Sequence, residues 1–95
     1  MATSVPKVRV AIPRALRSLC GGRAELSLAA RDVREMLDWL ALEHPEVHVR
    51  ICDERGQPRP HINVFVNERC CSRGELDTPL AMGDLVTILP AVSGG

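Results

Sequence analysis

The feature that most constrains the fold is a single amphipathic segment, Val33 to about His44, set among several shorter alternating ones. Its apolar residues recur at i, i+3, i+4 and i+7, which is the spacing of one helix face: Val33, Met36, Leu37 and Leu40. Asp32 suits the N-cap with Glu35 three residues on, and Pro45 ends the segment. A lone helix with one apolar face must cover a sheet, so the sequence predicts a two-layer α+β domain.

Five segments alternate between apolar and polar residues, as half-buried strands do. They are residues 7–12, 24–28, 47–52, 61–67 and 85–90, and residues 68–84 are predicted to form an irregular connection. The loop at Gly21-Gly22 predicts an antiparallel hairpin of the first two strands. The last strand should lie centrally beside the first, because an exposed final strand leaves an unprotected edge. This order predicts a β-grasp (ubiquitin-like) fold, with a mixed five-stranded sheet packed on one main helix.

Composition bounds the function. The 95 residues suit one domain, predicted to span 1–90, followed by a flexible C-terminal tail, 91–95. Formal net charge is zero, so neither a nucleic-acid nor a membrane partner is expected. The N-terminus has no apolar signal segment, which predicts a cytoplasmic protein.

Catalytic and metal-binding patterns are not found. The three histidines are scattered, and the four cysteines show no C-x-x-C pair, so reduced thiols and no metal site are expected. No triad order, dinucleotide-binding or P-loop spacing is present. The chain is therefore predicted not to be an enzyme, and any reaction at this protein is expected to be catalysed by partner enzymes.

The remaining candidate is the C-terminal Gly94-Gly95. Residues 91–95 reach up to roughly 17 Å when extended, enough to enter a partner's active site. Glycines fit a slot that admits only backbone. The Gly95 carboxylate would first need activation, most simply as a mixed anhydride with AMP. An inert, small-residue terminus explains the composition equally well at this point.

Residues 80–95 resemble the C-terminus of ubiquitin-fold sulfur carriers of the ThiS/MoaD-like family, which include the small subunit of molybdopterin synthase and the thiamin-pathway carrier. Their pattern is Gly-Asp, an apolar strand, Pro-x-Val, a small residue and a terminal Gly-Gly. Residues 63–67 are similar to the family's fourth-strand motif, and residues 33–45 to its helix ending in His-Pro. Residues 12–17 with Gly21-Gly22, and residues 86–92, are similar to carriers that serve an actinobacterial cysteine synthase.

The resemblance implies a function. An E1-like adenylyltransferase and sulfurtransferase would use ATP to convert the Gly95 carboxylate into a thiocarboxylate, with no cofactor bound to the carrier itself. The sulfur would pass to a pyridoxal-phosphate-dependent cysteine synthase or another sulfur-accepting synthase, and a metallohydrolase would release the cysteine. The alternatives are the molybdopterin synthase small subunit, a ubiquitin-like protein modifier that joins Gly95 to lysines, and an interaction domain with an inert tail.

Two groups of residues would serve this function. Val92, Ser93 and Gly94 are expected to bind in the partner's tail channel. Phe65 and Leu89 should point away from the helix on neighbouring strands, which predicts an apolar partner interface on that face. Half-burial of one or both side chains is the alternative.

Overall fold

The computed structural model describes residues 5–71 and 74–90. The elements in chain order are β1 (Lys7–Ala11), a 3-10 helix (Arg14–Cys20), β2 (Glu25–Ala29), α1 (Val33–Glu43), α2 (Pro45–Ile51), β3 (Ile62–Val66), β4 (Arg69–Cys71) and β5 (Leu85–Pro90). The predicted tail, with Val92, Ser93, Gly94 and Gly95, lies outside the described residues.

The strands form one mixed sheet in the order β2-β1-β5-β3-β4. β1 and β2 are antiparallel, which confirms the predicted hairpin. β5 lies in the centre, parallel to β1 and antiparallel to β3, as the sequence predicted. The architecture is therefore the β-grasp, in which the last described strand is held on both sides.

The core lies between this sheet and the two α-helices. The helix-facing residues of the inner strands are almost fully buried: Val8, Val10, Val64, Val86 and Ile88. The predicted stripe of α1 meets them, and none of its four residues is more than 2% exposed. Asp32 caps α1 by accepting a hydrogen bond from the Glu35 backbone N–H at 2.8 Å, which confirms the predicted start of the helix.

The predicted strand at residues 47–52 is wrong, because this segment forms the helix α2. Pro45 occupies its first turn, where a missing N–H costs nothing and the fixed φ favours a helix. Val47 and Ile51 are 0% and 1% exposed, whereas Val49 is 56% exposed. A strand would bury all three on one face, but a helix buries only the pair four residues apart. The fold therefore has a second α-helix beside the main one.

The fifth strand of the sheet is β4, which lies in the segment predicted to be irregular. It pairs with β3 through a tight turn in which Asn67 adopts a left-handed conformation, φ 56°. Asparagine tolerates this conformation better than most residues. The Asn67 side chain also donates to Asp84 and accepts from the Leu85 N–H, both at 3.0 Å. These bonds tie the turn to the start of β5.

Candidate functional site

The candidate site begins at the end of β5, where the chain leaves the sheet. Val86 and Ile88 of this strand are both 0% exposed. Pro90, the last residue of β5, is opposite Ile62 of β3. The strand is thus fixed by core packing and by pairing with both neighbours. β1 pairs with β5 only as far as Thr87, so the last residues of the strand, up to Pro90, pair with β3 alone.

The second part of the site is the open face, the sheet surface turned away from α1 and α2. On the three inner strands it is formed by Lys7, Arg9, Ala11, Leu85, Thr87, Leu89, Asn63 and Phe65. Phe65 is half-buried directly opposite Thr87, and Leu89 is 46% exposed opposite Asn63. Phe65 and Leu89 are therefore diagonal cross-strand neighbours, and such residues lie about 7–8 Å apart. The predicted placement of Phe65 and Leu89 on one face of adjacent strands is confirmed; their role as an interface stays a prediction.

The electrostatics of the open face change across the sheet. At the β1–β2 edge, Arg9 and Glu25 form an ion pair at 3.4 Å with both side chains about half exposed. Such a pair contributes little to stability. Around Phe65 and Leu89 the cross-strand partners, Asn63 and Thr87, are uncharged. Phe65 and Leu89, which form the apolar patch, are therefore surrounded by uncharged side chains and lie apart from the Arg9–Glu25 ion pair.

Cysteine chemistry is restricted to one accessible thiol. Cys20 and Cys52 are buried, and burial raises the pKa of Cys20 and raises that of Cys52 to about 11. The Cys71 thiol is buried and donates to the Glu75 carbonyl at 3.0 Å. Cys70 is exposed and lies directly opposite Phe65, so it belongs to the open face. Sequence reasoning missed this residue, because it had no strand at Cys70.

The histidines do not form a common site. His44 packs against Trp39 with ring centroids 5.6 Å apart. Burial lowers the pKa of His48, and the Asp38 carboxylate partly offsets this. His61 is exposed near the end of β5. Over residues 5–71 and 74–90 no group of histidine, cysteine or carboxylate side chains is arranged to hold a metal ion.

No helix in the described part of the chain is long and apolar enough to cross a membrane.

The comparisons with known proteins agree with this geometry. Residues 10–95 match the model of the ThiS family. The sulfur carrier protein CysO of Mycobacterium tuberculosis is 34% identical over 91 residues, which cover 93% of this chain and 98% of CysO. Its crystal structure superposes with a TM-score of 0.80 at 33% identity, over 90% of this chain and 99% of that one.

Two further structures are similar over almost the whole chain. CysO of Amycolatopsis orientalis, solved in complex with BexX, has a TM-score of 0.79 and is 34% identical, covering 93% of this chain and 99% of that chain. The small archaeal modifier protein 1 of Methanosarcina acetivorans has a TM-score of 0.79 and is 29% identical, covering 98% of this chain and 100% of that chain.

The fold and the central β5 define a β-grasp protein of the ubiquitin-like carrier class. More narrowly, the chain belongs to the ThiS family. The family resemblance drawn from residues 80–95 is therefore confirmed.

Proposed function

We propose that this chain is a cytoplasmic sulfur carrier whose reactive group is the carboxylate of Gly95. The observation that carries the proposal is the central position of β5, held between β1 and β3 and leading directly to Gly94-Gly95 in a chain of the ThiS family. The five residues after Pro90 could reach up to roughly 17 Å from the sheet when extended.

The chemistry takes place in two displacements. A Gly95 carboxylate oxygen attacks the α-phosphorus of ATP in the activating enzyme, and pyrophosphate leaves. Hydrosulfide from a sulfur donor then attacks the acyl carbon, AMP leaves, and a thiocarboxylate remains. The carrier contributes no acid or base to either step. Its contribution is to present the terminus, because positioning a reactant in a partner's site makes the reaction effectively intramolecular.

The sulfur acceptor that we propose is a pyridoxal-phosphate-dependent cysteine synthase. Similarity to CysO over nearly the whole chain supports this choice. The thiocarboxylate sulfur would add to an enzyme-held aminoacrylate, and a metallohydrolase would cleave the resulting cysteinyl adduct. A molybdopterin synthase large subunit is the other acceptor considered; Ile12-Pro13 stands where carriers of that branch usually have an aromatic residue, which favours the cysteine branch.

Intact-mass analysis of the protein purified from its native host tests the carrier function. We expect a species heavier by the exchange of one oxygen for sulfur, located at Gly95 by fragmentation. Deletion of Gly95 should abolish it. An unmodified terminus in the presence of the activating enzyme, ATP and a sulfur donor contradicts the proposal.

The apolar patch is proposed to be the surface that the partners bind. Replacing Phe65 by Asp places a charge in the patch, and we expect thiocarboxylate formation to slow by about tenfold or more, as for other interface anchors. Ser27→Asp is the matched control, since it adds the same charge on the exposed edge strand β2. Circular dichroism checks folding. A folded Phe65→Asp protein that is modified at the normal rate contradicts the interface.

A second candidate function is protein modification. It is favoured by the similarity to the small archaeal modifier protein 1. In this case the activated Gly95 acyl group would be transferred to a lysine amine, with loss of AMP or sulfide. High-mass conjugates carrying a Gly-Gly remnant on lysine would identify a modifier, whereas a terminal thiocarboxylate without conjugates identifies a carrier.

A further inference from the structure

A groove lies beside the end of β5, on the opposite side from Leu89. Its floor is apolar and is formed by Pro13, Leu16, Ile62 and Pro90, and its volume is about 300 Å³. Along β5 the buried residues Val86 and Ile88 face the helices, and Pro90 continues this alternation. The groove therefore lies on the helix side of the sheet, whereas the apolar patch of Phe65 and Leu89 lies on the open face.

The rim of the groove carries the positive charge of Arg50. Arg50, in the last turn of α2, and His61, just before β3, both line it and both are exposed. Among the described residues that line it there is no carboxylate. Arg50 takes part in neither the Arg9–Glu25 nor the Arg31–Glu35 ion pair.

The neighbouring arginines behave differently, because they are engaged within the fold. The Arg59 guanidinium donates to the Val49 carbonyl at 2.9 Å, and Arg17 donates to the Ile12 carbonyl at 3.0 Å. Arg50 alone among these three presents a guanidinium with no such bond. Its position at the C-terminus of α2 suits the helix dipole, but the dipole does not account for an apolar groove beside it.

We infer that a protein which takes up the tail also docks in this groove, inserting an apolar side chain that lies next to a carboxylate. This inference rests on the proposed function, since a partner that encloses the chain from residue 91 onward must surround Pro90. The apolar floor fits the side chain, and the cationic rim fits the carboxylate. The partner then contacts the end of β5 on both faces of the sheet, at the groove on the helix side and at the apolar patch on the open face.

The chain's own tail is the competing occupant. Residues 91–95 contain only one large apolar side chain, Val92, and end in a carboxylate. Ordering the backbone of five residues costs more free energy than one partly buried valine and one exposed ion pair would contribute. The balance therefore favours a partner, which brings a segment that is already ordered.

The first test uses position 15, because Ala15 lines the groove and is exposed on the 3-10 helix. The probe is ATP–pyrophosphate exchange by the adenylating enzyme of the same host, with carrier as the varied substrate. We expect Ala15→Glu to raise the KM for the carrier about tenfold by repelling the carboxylate, with kcat unchanged, and Ala15→Arg to leave KM equal or lower. Equal KM values for the two variants overturn the inference.

The second test removes the cation. Arg50→Gln should raise KM by roughly threefold to tenfold and weaken its dependence on salt, since a screened charge pair is lost. Arg69→Gln is the matched control: Arg69 is exposed on β4, at the end of β3 remote from Pro90. KM effects of the same size in both variants overturn the inference.

The remaining outcomes are also decisive. If Val92→Ser in the full chain shifts the amide signals of Ala15, Arg50 and His61, the tail occupies the groove and the inference is wrong. If the wild-type chain supports no exchange, the proposed function itself is wrong. If the wild type is activated normally and the groove variants match it, only the groove inference is wrong.

Discussion

Adjacent residues of β5 should separate stability from function. Ile88 is 0% exposed in the core, whereas Leu89 is 46% exposed on the open face. Truncating a buried isoleucine to alanine costs about 2–5 kcal/mol, from lost transfer energy and the cavity left behind. At about 4–8 °C per kcal/mol for a domain of this size, Ile88→Ala should lower Tm by roughly 8–40 °C. Leu89→Ala removes a side chain that is already half in water, and we expect less than about 1 kcal/mol.

The order of the two variants should reverse in binding. Leu89 lies in the apolar patch proposed to bind partners, so Leu89→Ala should raise the KM of the carrier in ATP–pyrophosphate exchange by about tenfold, the equivalent of 1.4 kcal/mol. Ile88→Ala, assayed well below its Tm, should keep a KM close to that of the wild type. Urea unfolding gives the stabilities of both.

Ile88→Val is the milder variant should Ile88→Ala fail to fold, with an expected loss of about 0.5–1.5 kcal/mol. The reasoning is refuted if Leu89→Ala destabilises the domain as much as Ile88→Ala does. It is also refuted if Leu89→Ala is stable and is activated with the KM of the wild type. In the first case the alternation along β5 is wrong, and in the second the patch is no interface.

Three further predictions follow from burial. Iodoacetamide at neutral pH should give one adduct on the native protein, at Cys70, and none on Cys70→Ser, because thiols such as that of Cys52 are buried with a pKa raised to about 11; more than one adduct before unfolding contradicts this. Burial lowers the pKa of His48 in the folded protein, so just below pH 6.5 the unfolded chain binds more protons than the folded one. The free energy of unfolding should therefore fall as the pH drops through this value. His48→Gln should flatten this dependence in urea titrations at pH 5 to 8. Val47→Asp should unfold the domain, because Val47 is 0% exposed on α2, whereas Val49→Asp should be nearly neutral, because Val49 is 56% exposed. Equal losses of Tm in the two variants would contradict the helix and favour a strand at this segment.

The sequence predicted the elements whose patterns are long or capped. The stripe of α1 with its Asp32 cap, and the alternation of β1 and β5, each point to one structure. Residues 47–52 do not, because apolar residues at 47, 49 and 51 fit a strand by alternation and a helix by the 47/51 pair. The segment forms a helix with Pro45 in its first turn, and this helix packs against α1 and the 3-10 helix. That choice is made by tertiary packing.

The same limits apply to the candidate site. Phe65 and Leu89 could be placed on one face from alternation and strand order alone, and the register Phe65–Thr87 and Asn63–Leu89 agrees with that placement. Cys70 could not, because a three-residue strand carries no periodic signal. The groove could not be predicted either, since it needs Arg50 on α2 rather than on a strand to lie beside Pro90. The features that were missed all depend on where α2 and β4 pack.

The position of β5 explains why one strand can serve both folding and function. As the central strand it pairs with β1 at residues 85–87 and with β3 at residues 86–90, and it buries Val86 and Ile88 on the helix side. Among the described residues, none of the buried core lies beyond Ile88. A last strand at the edge of the sheet would be held less firmly along its whole length, because it would pair on one side only. A central last strand therefore suits the proposed reactive group at Gly95, since the buried contacts of β5 are complete at Ile88.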